Sequence, residues 1–133
     1  MLAPAATWAV APKLDRELFL ATLQTNLSGD TAPLDEFIQD HQENPEARPY
    51  LDKAYFRKAE KTDSLIDLRV YQREFGADGK YRLTVLQKIE TKEIKAVERI
   101  QAQPNALNIR QFVVNFPESE RLPEIKKSRR CQS

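Results

Sequence analysis

"SLIDLRVYQREFGADGKYRLTVLQKIE", residues 64–90, decides the fold. Ile66, Leu68 and Val70 alternate with Asp67 and Arg69, and Tyr81, Leu83, Val85 and Ile89 alternate with Arg82, Thr84 and Lys88. A two-residue period puts neighbouring side chains on opposite faces of a half-buried strand. Two of the chain's three glycines, Gly76 and Gly79, lie between the runs. Asp78-Gly79 is a strong hairpin signal, because glycine supplies the positive φ that closes an antiparallel pair. A phosphate-binding loop would need more glycines and a helix after them. The stretch therefore predicts two strands joined by a tight turn.

Upstream, the apolar period is helical. In "LDRELFLATLQTNLSGD", Leu20, Leu23 and Leu27 recur at helical spacing with Phe19 beside them, a face wide enough to pack on a sheet. Asp15 can cap the start and Gly29 the end, giving a helix over 14–28. A second helix over 32–42 places Leu34, Phe37, Ile38 and His41 on one face, with Pro33 in its first turn. A third, over 49–60, aligns Tyr50, Leu51, Ala54, Tyr55 and Lys58 and leaves Lys53 and Arg57 on the exposed side.

Downstream, residues 91–103 fit two patterns. Ile94, Val97 and Ile100 suit a helix; Ile94, Ala96 and Ile100 suit one strand face. The reading leans to strand and stays open. "IRQFVVNF" is a strand with Phe112, Val114 and Phe116 inward, and Pro117 ends it. Helices followed by strands argue an α+β domain, with about three N-terminal helices on one face of a curved antiparallel sheet of three to four strands. This element order, over about residues 14–117, resembles the nuclear-transport-factor-2-like cone fold; a cystatin-like order is the alternative. Such a resemblance implies no site residues, since the cone fold hosts enzymes, ligand carriers and assembly subunits alike. The expected organisation is an N-terminal arm over 1–13, one domain over 14–117 and a polar, basic tail over 118–133.

Composition narrows the function classes. The 133 residues suit one domain that needs no disulfide or metal to fold. Lys and Arg total 21 against 20 Asp and Glu, a net charge of +1 that gives no overall pull toward nucleic acid or acidic membrane. No apolar run is long enough for a membrane span. The single cysteine, Cys131, excludes an internal disulfide and is compatible with a reducing, cytoplasmic compartment. The apolar start "MLAPAATWAVAPK", with Ala9-Val10-Ala11, keeps open an extracytoplasmic one as the remnant of a trimmed targeting segment.

No catalytic residue can be named. There is no G-x-S-x-G, Walker loop, CxxC pair or HExxH, and no cofactor or metal is expected. His41, the only histidine, has Asp40 beside it in sequence, but on a helix adjacent side chains diverge by about 100°. Solvated acids around a histidine at a helix edge account for this arrangement.

Binding is better supported than chemistry. Tyr71 and Phe75 fall on the strand face opposite Ile66, Leu68 and Val70, exposed if the sheet is covered on one side only. Trp8 in the arm can dock on the domain or insert into a partner. "KKSRR", with Lys126, Lys127, Arg129 and Arg130, can order on an acidic partner. The expectation is a non-catalytic interaction or assembly module, contacting a protein partner or a second copy through its sheet face and terminal arms. One alternative is a small cone-fold enzyme or carrier with an apolar cavity near His41, Asp40 and Tyr55. Another is weak nucleic-acid binding by the tail.

Overall fold

The computed structural model describes residues 3–126, with side chains from Pro12 onward. All regular structure among the described residues is helical. The expected α+β architecture, with its antiparallel sheet, is overturned, and the likeness to a cone or cystatin-like order goes with it.

The correction begins at Ser64. This residue is extended, with φ −95° and ψ 137°, and its side chain accepts the backbone N–H of Asp67 at 3.2 Å. That is an N-cap, and it starts a helix over Leu65–Phe75 rather than a strand. Asp67 in the first turn faces the positive end of the helix dipole and also accepts the Thr62 hydroxyl at 2.6 Å. Leu68, Tyr71 and Phe75, spaced three and four apart, are buried, whereas Ile66 is 76% exposed. A strand would have put Ile66 and Leu68 on the same side. The alternation misleads because positions four apart satisfy a period of two and a period of 3.6 equally. Ile66 and Val70 are such a pair, as are Tyr81, Val85 and Ile89.

The glycines also serve other ends than a hairpin. Gly76 stands at φ +50°, ending the helix in a region that disfavours other residues. Gly76–Asp78 forms one 3-10 turn before the next helix, Arg82–Ala102. Gly79 has a negative φ, −62°. Its lack of a side chain matters for space: a Cβ there would lie 2.7 Å from the Tyr71 hydroxyl oxygen.

The chain divides into two compact units, Met1–Val85 and Leu86–Ser133. In the first, α1 (Ala3–Ser28), α2 (Ala32–His41) and α3 (Arg48–Thr62) contact one another, and α4 (Leu65–Phe75) packs on α3. The core draws Leu14 and Leu18 from α1, Leu34 and Phe37 from α2, Ala54 and Phe56 from α3, and Leu68 and Tyr71 from α4. The three helices expected here are present. The first begins earlier than expected, at Ala3, and runs through Pro12, so Asp15 is not a cap and the expected arm is helical from Ala3. Gly29, at φ +76°, ends α1 and donates to the Thr25 carbonyl at 2.9 Å.

The helix α5 (Arg82–Ala102) carries the segment whose reading was open, and all of it after Val85 belongs to the second unit. Asn105 caps α6 (Ala106–Asn115) by accepting the Asn108 N–H at 2.9 Å. Ile109, Phe112 and Phe116 are buried at helical spacing, while Val114 is 71% exposed. The expected strand face of Phe112, Val114 and Phe116 is therefore a helix face with Val114 outside it. Residues 122–126 are helical and bury Ile125, and Arg121 pairs with Glu93 of α5 at 2.7 Å. The expected tail is structured as far as Lys126.

Candidate functional site

The outer face of α1 groups four of the exposed large apolar side chains described for the first unit. Successive residues turn by about 100° around a helix. Leu14, Leu18, Ala21 and Thr25 then share an arc of about 60°, and all four are buried. Phe19, Leu20, Leu23 and Leu27 share an arc of about 100° centred on the opposite side. They are 66%, 48%, 42% and 80% exposed. The face that the sequence marks as ready to pack on a sheet meets no sheet. The face that does pack is Leu14, Leu18, Ala21 and Thr25.

Beside this stripe, α1 and α3 enclose a groove of about 620 Å³. Pro12, Leu18, Phe19 and Thr22 form one wall, and Lys53 and Arg57 the other, with Asp15 and Arg16 at the rim. Three cations against one carboxylate make the groove basic. Arg57 is partly engaged by Glu60 at 3.0 Å. Arg16 and Lys53 form no ion pair among the described residues.

A second constellation is buried between α3, α4 and the loop before α5. The Tyr71 hydroxyl donates to Asp52 in a short hydrogen bond and accepts the Tyr81 N–H at 2.8 Å. The other Asp52 oxygen accepts the Lys80 N–H at 2.9 Å. Burial, and then the hydrogen bond to Asp52, pushes the Tyr71 phenol up. Phe56 stacks on Tyr81, with centroids 4.2 Å apart, and meets Tyr71 edge-on. The Tyr71 hydroxyl, both Asp52 oxygens and the Lys80 and Tyr81 N–H groups are thus partnered within the protein, and together they hold the loop before α5 in place.

Near it, the Lys58 ammonium bonds Asp35 at 2.6 Å and lies 4.0 Å from Asp67. Burial alone would lower Lys58, but the hydrogen bond and charge of Asp35, with Asp67, outweigh it and hold the group above its ordinary value. These three residues tie α2 and α4 to α3.

The residues singled out from sequence are scattered. Tyr71 and Phe75 lie in the core, and the exposed face expected for them vanishes with the sheet. His41 ends α2, half-buried, with Nε2 2.6 Å from Glu17 of α1 and its ring against Phe37. Asp40 is exposed beside it. Tyr55, on α3, packs edge-on against Phe75, and its phenol is raised by burial and then by Glu74. None of the three lines the α1–α3 groove. Lys126 is exposed. Lys127, Arg129 and Arg130, and the Trp8 side chain, lie outside the described residues, as does most of the basic run proposed for nucleic acid. Among the described residues no group of three or more His, Cys, Asp or Glu is placed to hold a metal. No helix there is long and apolar enough to cross a membrane.

The groove was half legible: Lys53 and Arg57 read as an exposed basic edge, but nothing in the sequence set them opposite Arg16 and Phe19. Asp52 was missed, since an acid one residue after a leucine in a helix carries no sign of burial. Comparison with protein-family models, curated proteins and solved structures finds no match for this chain.

Proposed function

We propose that this protein is a non-catalytic helical interaction or assembly module whose docking surface is the outer face of α1. One observation carries the reading: Phe19, Leu20, Leu23 and Leu27 form a continuous stripe on a helix whose opposite face already supplies the core. Single exposed apolar residues are ordinary, but an aligned set is a mark of an interaction surface. Helix-on-helix recognition uses such three-and-four spacing.

The test is crosslinking mass spectrometry on the full chain in its native host, with wild type against Leu23→Glu. Wild type is expected to yield intermolecular crosslinks from Lys13 or Lys53, to another chain or to a second copy, that the variant loses. An unchanged crosslink pattern in a folded variant would remove the stripe from the proposed function.

The α1–α3 groove favours a second reading, a carrier of an amphiphilic anion. Its apolar wall and basic rim suit an acyl chain ending in a carboxylate. Calorimetric titration with a medium-chain fatty acid should then show binding that Arg57→Ala weakens; no heat with wild type would dismiss it.

A further inference from the structure

We propose that the outer stripe of α1 pairs with the same stripe of a second copy, antiparallel, about a twofold axis at Leu23. This rests on the interaction reading above and names its partner. Leu20, Leu23 and Leu27 are spaced three and then four apart, the seam of two helices packed side by side. The seam is self-complementary when reversed. With Leu23 on itself, Phe19 meets the other copy's Leu27, and Leu20 falls beside Asn26 and Leu27.

Charge decides the direction. Reversal about Leu23 brings Arg16 to the C-terminal end of the other copy's α1, where Asp30 follows two residues after the last helical residue, Ser28, and symmetry makes this approach twice. A parallel pair would instead set Arg16 against Arg16 and Asp30 against Asp30, both repulsive. The two groups are available for the contact. Both are exposed. Arg16 makes no ion pair among the described residues, and Asp30 spends one oxygen on the Ala32 N–H at 3.0 Å. Between these ends the stripe is flanked by Gln24 and Asn26, uncharged side chains that oppose neither orientation nor close approach. A ligand in the α1–α3 groove would not serve instead, since Leu20, Leu23 and Leu27 lie outside its lining.

Four apolar side chains per copy make a small interface, so the pair should be weak and concentration-dependent. Sedimentation of the full chain should show a mass rising from monomer toward dimer between about 10 µM and about 1 mM, and Leu23→Glu should hold it at monomer. Register is read by cysteine pairs in a Cys131→Ser background, oxidised with glutathione disulfide. Leu23→Cys should form a disulfide dimer by itself. Phe19→Cys and Leu27→Cys should each stay monomeric alone and crosslink when mixed. Crosslinking of every single variant with itself would mean a parallel or unspecific contact and would overturn the proposal. So would a wild-type protein that stays monomeric throughout. If that monomer still forms crosslinks to a different chain that Leu23→Glu abolishes, only the self-pairing fails. If no intermolecular contact of either kind depends on Leu23, the interaction reading fails with it.

Discussion

The Tyr71 hydroxyl has two hydrogen bonds to make in a place without room for a methyl group on its neighbour. It gives its proton to Asp52 and takes the N–H of Tyr81, and Gly79 lies against it. Tyr71→Phe would strand the Tyr81 N–H and leave Asp52 with the Lys80 N–H as its remaining partner in this cluster. A loss of about 1–3 kcal/mol is expected in urea unfolding. Gly79→Ala would push a methyl onto the same oxygen and should cost about 1–3 kcal/mol as overpacking does. In the double variant the clash with that oxygen is gone, so the two costs should sum to less than their separate values; strict additivity would mean that the Gly79 contact is not what limits the site. The phenol also sets a pH dependence. Because its pKa is raised, the folded state holds this proton more tightly than the unfolded chain, where tyrosine ionises near pH 10. The stabilisation is whole below about pH 10 and falls as the pH rises beyond it. Tyr55 is raised too, so the wild-type slope contains both. Wild type should lose more stability between about pH 9 and 11 than Tyr71→Phe does, and equal losses would discharge Tyr71 from that role. None of this was legible in the sequence. A glycine kept for space looks the same as one kept for positive φ.

At the scale of elements, α4 separates the two readings of one stretch. In a strand, Ile66 and Leu68 are equivalent; in the helix one is solvent-exposed and the other fully buried. Ile66→Glu should therefore change stability by no more than about 0.5 kcal/mol. Leu68→Ala should cost about 2–5 kcal/mol, and Ser64→Ala about 1 kcal/mol through the lost cap. Chemical denaturation of the three variants checks this, and equal damage from Ile66→Glu and Leu68→Ala would restore the strand. The first three helices were legible because prolines and glycines mark their ends and their apolar residues recur at helical spacing. The later ones were not, for an identifiable reason. Short windows rich in Leu, Ile and Val offer pairs four apart that fit either period, as at Tyr81, Val85 and Ile89. What should have arbitrated was at the boundaries. Ser64 three residues before Asp67, and Asn105 three before Asn108, are capping spacings with observed hydrogen bonds. Phe112 and Phe116 carried the helical period of α6, and Val114 was the residue that made it look like a strand.

At the scale of the whole molecule, the sequence revealed the apolar stripe of α1 but assigned it a partner inside the chain. The near-zero net charge gave no contrary signal, because the basic groove beside the stripe is balanced by acids elsewhere. A surface is thus legible as a pattern while its occupant is not, since burial depends on what the fold brings opposite. The same dependence governs cooperativity. In the first unit α1, α2 and α3 contact one another and α4 packs on α3, whereas the second, from Leu86 onward, buries fewer apolar side chains among the described residues. Its interior rests on residues such as Ile100, Ile109, Phe112 and Ile125. Local opening should therefore reach it at lower free energy than it reaches α3 and α4. In hydrogen exchange read by mass spectrometry, peptides covering residues 93–126 should exchange faster than those covering 48–75. Phe112→Ala removes a ring from the weaker core, and should accelerate the first set several-fold while leaving the second unchanged. If both sets accelerate together, the chain unfolds as one body, and the α5 helix that runs across the boundary at Val85 and Leu86 transmits the loss from one core to the other.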